Sequence, residues 1–377
     1  MNKIVIGIDG NEANVCRRVG VSVYTLNLLR YFQSQSSKNL RFIVYLRNKP
    51  QIDLPQQTEF FTYRIVWGPV VWSQLFLPIH LLLYKLMGNS LHVFFSPAHY
   101  IPRFCPFKTV VTIHDLSYLY FPDEFLKKDL YQLKNWTEYA LKNTVKVIAV
   151  SKTTKKDIVH EYAIPEEKIA VIYNGYEHTH SQGEEHHSKM VKTGQSKINN
   201  PYFLTIGTIQ PRKNLSVLIT AFSQFHASHP EFRLILAGKK GWLYENIFKQ
   251  VESMGMKEYI LFPGFVLEDE KNNLYKKATA FILPSLYEGF GIPLLEAMAH
   301  GCPVLSSFSS SLPEVGAEAC LYFDPKSVDD LVDKMTTITT NQDIVKKLVV
   351  LGKKRIEAFS WVETGRKTLH VLQSLYE

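Results

Sequence analysis

Long apolar runs are the first thing this 377-residue chain lacks. No stretch of about 18 residues escapes both charge and helix breakers, so no membrane-spanning helix is expected. The longest apolar candidate, Leu75 to Leu83, is short and contains Pro78 and His80. Cysteine is scarce too. Cys16, Cys105, Cys302 and Cys320 form neither a CxxC pair nor a dense framework, which argues against a zinc ribbon or a disulfide scaffold and for a reducing cytosol. No GxGxxG or GKS/GKT follows an apolar run, so a dehydrogenase or P-loop ATPase is not expected. Neither zinc-finger spacing nor an RNA-binding aromatic signature occurs, so no nucleic-acid partner is expected. The opening MNKIVIGIDGNEAN has too short an apolar stretch for a secretory signal and reads as a first buried strand.

What is present is a mixed globular composition, 46% hydrophobic and 21% charged. The length exceeds what one core normally supports, so two domains are expected. Charge is divided unevenly: residues 1–175 carry 21 Lys and Arg against 13 Asp and Glu, whereas residues 176–377 carry 22 against 22. A basic first half suits phosphates or an anionic membrane surface, and equally a plain solvated surface rich in Lys.

Short β-rich runs alternate with amphipathic stretches through both halves. KIVIGI, RFIVYL, SLHVFFS, KTVVTIHD, VKVIAVS and KIAVIYNG fill the first; PYFLTIGT, FRLILAG, YILFPGF, AFILPS, PVLSS and CLYFDP fill the second. Runs apolar on both faces indicate parallel strands covered by helices, the α/β doubly wound class. The alternation stops at residues 176–200, a polar linker or loop holding His178, His180, His186 and His187. Four histidines invite a metal reading, but a flexible segment rarely pre-organises ligands. The expected domains are 1–175, 201–358 and a closing helix, 359–377, packed on the first domain. Two α/β domains in series are expected to form a cleft.

Three segments carry chemistry. In SLYEGFGIPLLEAMAHG, Pro293 and Gly301 bracket a helix from about Pro293 to His300. Glu288 then lies on the glycine loop after a buried strand, and Glu296 one turn into the helix. Gly289 and Gly291 let backbone approach a ligand, and the helix N-terminus favours an anion. In GTIQPRKNLSVLITAF, Gly207 ends a strand, Arg212 and Lys213 follow, and Asn214 is placed to cap a helix. Arg binds a diphosphate as a fork and Lys as a point charge, and adjacent residues point apart, so one of the two is expected to reach a given phosphate. In VVTIHDL, His114 ends a first-half strand as a base, an orienting donor, or a loop residue beside Asp115. Gly20 precedes a helix and offers a nest of N–H groups, a common arrangement without any ligand.

Together these segments resemble glycosyltransferase family 4, the retaining nucleotide-sugar transferases of GT-B fold, in mannosyltransferase-like form. The resemblance runs from GIDG and VGVSVYTLNLL through TIHDLSYLYFP, VIYNG, GTIQPRKNL and EGFGIPLLEAMAHGCPV to LPEVGAEACLYFDP and FSW. Its most specific mark is the Glu-x7-Glu pair, Glu288 and Glu296. The resemblance implies that Glu288 contacts the transferred sugar and Glu296 the ribose, and that Arg212 and Lys213 neutralise the departing diphosphate. It implies support from the amides of Phe290, Gly291 and Ile292, a place for His114 at the donor sugar, and for Gly20 and Gly207 near the phosphates. No Asp-x-Asp stands at a strand end, in keeping with the family's usual independence of a metal. Thr208 departs from the family pattern, in which Arg commonly follows the glycine.

The expected donor is a nucleoside-diphosphate hexose, GDP-mannose before UDP sugars, with no further cofactor. The expected acceptor is a glycan or a lipid-linked saccharide, reached from the cytoplasm with peripheral contact at the inner membrane face. Leu75 to Leu83 with Trp67 and Trp72 is a membrane candidate, and a core helix is the commoner reading of such a stretch. The alternatives on the same scaffold are a nucleotide-sugar epimerase and a non-catalytic nucleotide-sugar-binding subunit.

Overall fold

The computed structural model describes residues 3–16, 18, 20–69, 71–176, 200–241 and 243–376. The four histidines of the polar segment lie outside the described residues. The chain divides into two compact units, one of Met1–Pro122, Leu126–Gly175 and Phe359–Glu377, the other of Asp123–Phe125 and Tyr176–Ala358. Counted over these units, the first carries 23 Lys and Arg against 13 Asp and Glu, and the second 20 against 22.

The first unit holds β1 (Ile4–Asp9), β2 (Leu40–Leu46), β3 (Phe61–Ile65), β4 (Val93–Ser96), β5 (Thr109–Ile113), β6 (Lys146–Ala149) and β7 (Ile169–Val171). They form one parallel sheet in the order β3-β2-β1-β4-β5-β6-β7. Every residue of β4 and β5 is buried, as expected where helices cover both faces. Strand β3, FTYRI, has no counterpart among the apolar runs of the sequence. It lies at the sheet edge, where only its first residue is fully buried, so its composition is mixed.

The second unit holds β8 (Tyr202–Ile206), β9 (Arg233–Ala237), β10 (Ile260–Gly264), β11 (Ala280–Leu283), β12 (Val304–Ser307) and β13 (Leu321–Phe323). Their order, β10-β9-β8-β11-β12-β13, is that of a dinucleotide-binding sheet, with the order reversing between β8 and β11. Ligands of such sheets bind outside the carboxyl ends of the strands at that reversal.

The closing helix, Trp361–Gln373, belongs to the first unit. Its Leu369 and Leu372 share a core with Ile6, Phe32 and Phe42. Burial of two leucines contributes roughly 2–3 kcal/mol each before entropy is counted. The FSW motif explains the entry of this helix. Phe359 packs on Tyr173, Ser360 accepts the Val362 N–H as the N-cap, and a side chain at Gly175 would meet the Trp361 backbone at 2.3 Å.

One glycine ties the fold to the site. Gly238, just past β9, has φ 150°, and a Cβ there would stand 1.8 Å from the Gly207 carbonyl oxygen. Gly238→Ala is therefore expected to destabilise the chain by about 3 kcal/mol, or to prevent folding, through backbone displacement. A urea melt tests this, and an unchanged midpoint would show that the ends of β8 and β9 do not need the close approach.

Candidate active site

The sequence at the β8 and β11 ends builds the site from three loops. After β8 the chain passes Gly207 and makes a tight turn, Pro211–Lys213, before the helix Leu215–Ser228. After β11 it passes Ser285 and Glu288 to the helix Ile292–Ala299, one residue earlier than the spacing suggested, with Gly291 in the left-handed region (φ 101°) as N-cap. After β12 comes the serine-rich loop around Ser309, Ser310 and Ser311. A pocket between the β8 and β11 ends is lined by Gly207, Thr208, Lys213, Pro284 and Ser285 among others.

Glu288 is the centre of this arrangement. Its side chain is only 12% exposed and is paired with Lys213 Nζ, with Arg212 Nη1 3.6 Å from its other oxygen. Ser285 Oγ donates to Glu288 Oε1 at 2.6 Å. Burial alone would push this carboxyl up, but the Lys213 and Arg212 charges and the hydrogen bonds from Lys213 and Ser285 hold it below the usual range. Both cations thus reach one anion, contrary to the expectation that adjacent residues point apart. The tight turn brings them to the same side.

Arg212 does more than balance charge. Its Nη1 donates to the Tyr287 carbonyl at 2.6 Å, and its own carbonyl accepts from Leu286 N–H at 3.0 Å, so it staples the two loops. Asn214 does not cap the helix it precedes. It has φ 54°, and its Nδ2 donates instead to the Pro325 carbonyl at 2.7 Å. Glu124, on the short segment that joins this unit, faces the same cations; burial raises its carboxyl, against the Arg212 amide and the Arg212 and Lys213 charges.

Hydroxyls hang the Glu288 loop on the β12 end. Ser307 Oγ donates to Ser285 O (2.6 Å), Ser309 Oγ to Leu286 O, and Ser311 Oγ to Glu288 O (2.8 Å), while Ser310 Oγ accepts Glu288 N–H (2.8 Å). Glu296 forms a separate polar set. Lys271 Nζ and Tyr275 OH, both from the helix Glu268–Lys277, donate to its two oxygens at 2.7 and 2.9 Å. Burial would lower the Lys271 ammonium, but Glu296 and Glu268 raise it above its ordinary value. Phe290 is buried, and Gly291 and Ile292 start the helix between the two acids.

In the first unit, Gly20 is the exposed N-cap of the helix Val21–Gln35, with φ 50° and open space where a Cβ would stand. Tyr24, one turn later, sets its ring edge-on to His114 at 4.8 Å. His114 Nε2 lies 2.8 Å from the Pro97 carbonyl, which can only accept, so Nε2 carries the proton. Burial and then the nearby His99 push His114 down to about 4, against Pro97 and Asp115, and keep it neutral. Asp115 caps the next turn through Ser117. At the end of β1, burial pushes Asp9 up to about 7 while the Asn11 amide opposes it. Among the described residues no group of three His, Cys, Asp or Glu is placed to hold a metal, and all four cysteines are free.

Comparison with known proteins bears on the family and the fold. Residues 19–180 match glycosyltransferase family 4, and residues 189–355 match the group 1 glycosyl transferases. The O-antigen chain mannosyltransferase B of Escherichia coli is 27% identical over 75% of this chain and 74% of its own length. The O-antigen chain mannosyltransferase RfbU of Salmonella typhimurium is 32% identical over 57% of this chain, a match spanning 56% of that relative. Sucrose-phosphate synthase from Thermosynechococcus elongatus superposes with a TM-score of 0.75 at 17% identity, covering 99% of both chains, which shows a shared GT-B fold.

Ser311→Ala removes the shorter of two hydroxyl bonds to the Glu288 carbonyl, leaving Ser310 Oγ at 3.1 Å, and should cost about 1 kcal/mol of stability. Because the loop then shifts, kcat should fall more than KM rises; a change in KM alone would deny the loop a positioning role. Acid sensitivity is also expected. His99 and His114 are held low when folded, so the unfolded chain binds more protons below about pH 6.5, and stability falls from there towards pH 4. Thermal melts across that window should show a shallower fall in His114→Asn, and an identical slope would remove His114 from the balance.

Proposed function

The chain belongs to the group 1, family 4 glycosyltransferases, and from that premise we propose that it moves a hexose from a nucleoside-diphosphate sugar to a glycan or lipid-linked saccharide, with retention of anomeric configuration. Mannose is the sugar and GDP-mannose the donor this reading favours, because the relatives above are named as mannosyltransferases. The observation that carries the reading is Glu288 held between Lys213, Arg212 and Ser285 beside the pocket at the strand-order reversal.

Breaking the bond between the sugar C1 and the diphosphate oxygen leaves negative charge on the diphosphate and positive charge on the ring. Fixed cations and N–H dipoles stabilise the first charge, and such preorganised groups commonly supply the largest share of catalysis. Lys213 turns from Glu288 to the diphosphate, with the helix N-terminus at Gly291 and Ile292 beside it, and Arg212 adds its charge while holding the loops. Glu288, released from Lys213, accepts hydrogen bonds from sugar hydroxyls. Glu296, oriented by Lys271 and Tyr275, takes the ribose. The acceptor oxygen bonds to C1 on the face the diphosphate leaves, and its proton passes to a diphosphate oxygen. In this reading His114 contacts the donor sugar, Gly20 and Gly207 lie near the phosphates, no metal is required, and the acceptor is met at the cytoplasmic face of a membrane.

A thermal-shift panel of GDP-, UDP-, ADP- and dTDP-sugars tests the donor. GDP-mannose at a hundred times its Kd should add about 2.7 kcal/mol of stability. No shift with any donor would overturn the reading, and a shift with UDP sugars alone would replace the base. Glu296→Ala should lose tenfold or more in nucleotide affinity, whereas Glu288→Gln should lose mainly turnover; equal losses of affinity would undo the two roles. Turnover should persist in EDTA, and the product anomer reports retention.

A further inference from the structure

The first unit carries an apolar face that its own core does not use. A wide turn, Trp72–Phe76, runs into the helix Leu77–Leu86. One side is core: Trp72, Leu77 and Leu81 pack against Tyr45, Leu91 and Phe94. The other side is also apolar and faces outward. Val71, Leu75, Ile79, Leu82, Leu83 and Leu86 recur at helical spacing, and each is exposed, Leu86 by 73%. A surface helix normally turns charge to solvent on the side away from the core, and this one turns leucine.

Two large side chains extend the face. Trp67 is 74% exposed, and its neighbours fix its place: the Val66 carbonyl accepts from the Trp72 indole, and Gly68 packs on Phe76. Phe104 is 83% exposed at the tip of a loop that lies along the helix, where Gln74 donates to the Ile101 carbonyl. It is held at φ 52°, a region costly for a bulky residue, so the loop presents it at the expense of backbone ease.

The segment that carries this face has charge of one sign. Between Glu59 and Asp115 the sequence contains no acid, while Arg64, Lys85, Arg103 and Lys108 lie within it. Arg64 sits over the Tyr84 ring of the helix at 4.8 Å, Lys85 donates to the Pro106 carbonyl, and Arg47 donates to Gly68 O beside Trp67. Among the described residues no helix is long and apolar enough to cross a membrane.

We propose that this face, Trp67 with the outer side of the helix Leu77–Leu86 and Phe104, lies in the interface of an anionic lipid bilayer, its leucines among the acyl chains and the flanking cations among the headgroups. It rests on the reading above, in which a lipid-carried acceptor is met at a membrane, and adds the surface and orientation by which that happens. An apolar face flanked by Lys and Arg gains twice at such an interface, from buried area and from the negative surface potential. A second copy of the chain would cover the apolar face but would bring the same cations together, and the one-signed charge disfavours it.

The test is co-sedimentation of the full chain with vesicles of phosphatidylglycerol and phosphatidylcholine, and of phosphatidylcholine alone. The wild type should bind the anionic vesicles, less in high salt, and Leu82→Glu with Leu86→Glu should bind about tenfold less or worse. Both positions are exposed, so the double variant should melt like the wild type; Trp67→Ala, outside the helix, should also bind less. Wild type that leaves anionic vesicles unbound, or a double variant that binds as well as wild type, overturns the proposal. So does a wild-type dimer in sedimentation velocity that the double variant abolishes, which would give the face to a second copy. Stabilisation by donor should be equal in wild type and variant, so a failed donor panel and failed vesicle binding are separate results.

Discussion

The ion cluster of Glu288 with Lys213 and Arg212 is the interaction around which the second unit's sheet edge is organised. A carboxylate taken from water loses hydration that a single cation rarely restores, so such a group persists only where cations and hydrogen bonds surround it. Here two cations and the Ser285 hydroxyl do so on one side, and serine hydroxyls from the β12 end hold the backbone on the other. Three loops that follow three different strands are thereby locked to one residue, two through its carboxylate and the third through its backbone. Removal of one member leaves the buried carboxylate with fewer charges and donors to offset its lost hydration, which makes the arrangement cooperative.

The same arrangement explains how two adjacent cations are held at one strand-order reversal. Lys213 and Arg212 would repel each other there, and Glu288 offsets that repulsion. In the proposed reaction the exchange of Lys213 from Glu288 to the diphosphate costs little, because one ion pair replaces another within the same pocket. Glu288 then needs new donors, and sugar hydroxyls are donors. Arg212 is less free to move. Its bonds to Tyr287 and Leu286 hold the shape of the loop, so its charge acts from a fixed place.

The parts of this design that were legible in the sequence are those written over short spans. Parallel strands show as runs apolar on both faces, and the Glu-x7-Glu pair falls on a glycine loop and the helix it feeds. The parts that were not legible depend on contacts across the chain. Lys271 and Tyr275 stand 25 and 21 positions before Glu296, on a helix whose acidic first turn reads as a solvated face. The serines of the β12 end look like a polar loop until their hydroxyls are seen to meet the carbonyls of Ser285, Leu286 and Glu288. Asn214 has the composition of a helix cap, yet a left-handed backbone turns its side chain to Pro325. Strand β3 escaped because edge strands need only one good face.

Periodicity was silent for a different reason at the helix Leu77–Leu86. A helix with leucines on both faces and only His80, Tyr84 and Lys85 to interrupt them gives a weak periodic signal, and a core helix is the commoner reading of such a stretch. In the fold only one side packs into the core, and Leu82, Leu83 and Leu86 lie outside it, from half to three-quarters exposed. A folded chain in water alone gains nothing from leucines on an outer face, and it risks association through them. The same leucines are accounted for if that face has a second apolar solvent, and the absence of acid from Phe60 to His114 is then the complement of its headgroups. On this argument the basic bias of the first unit and its surplus apolar face have one cause.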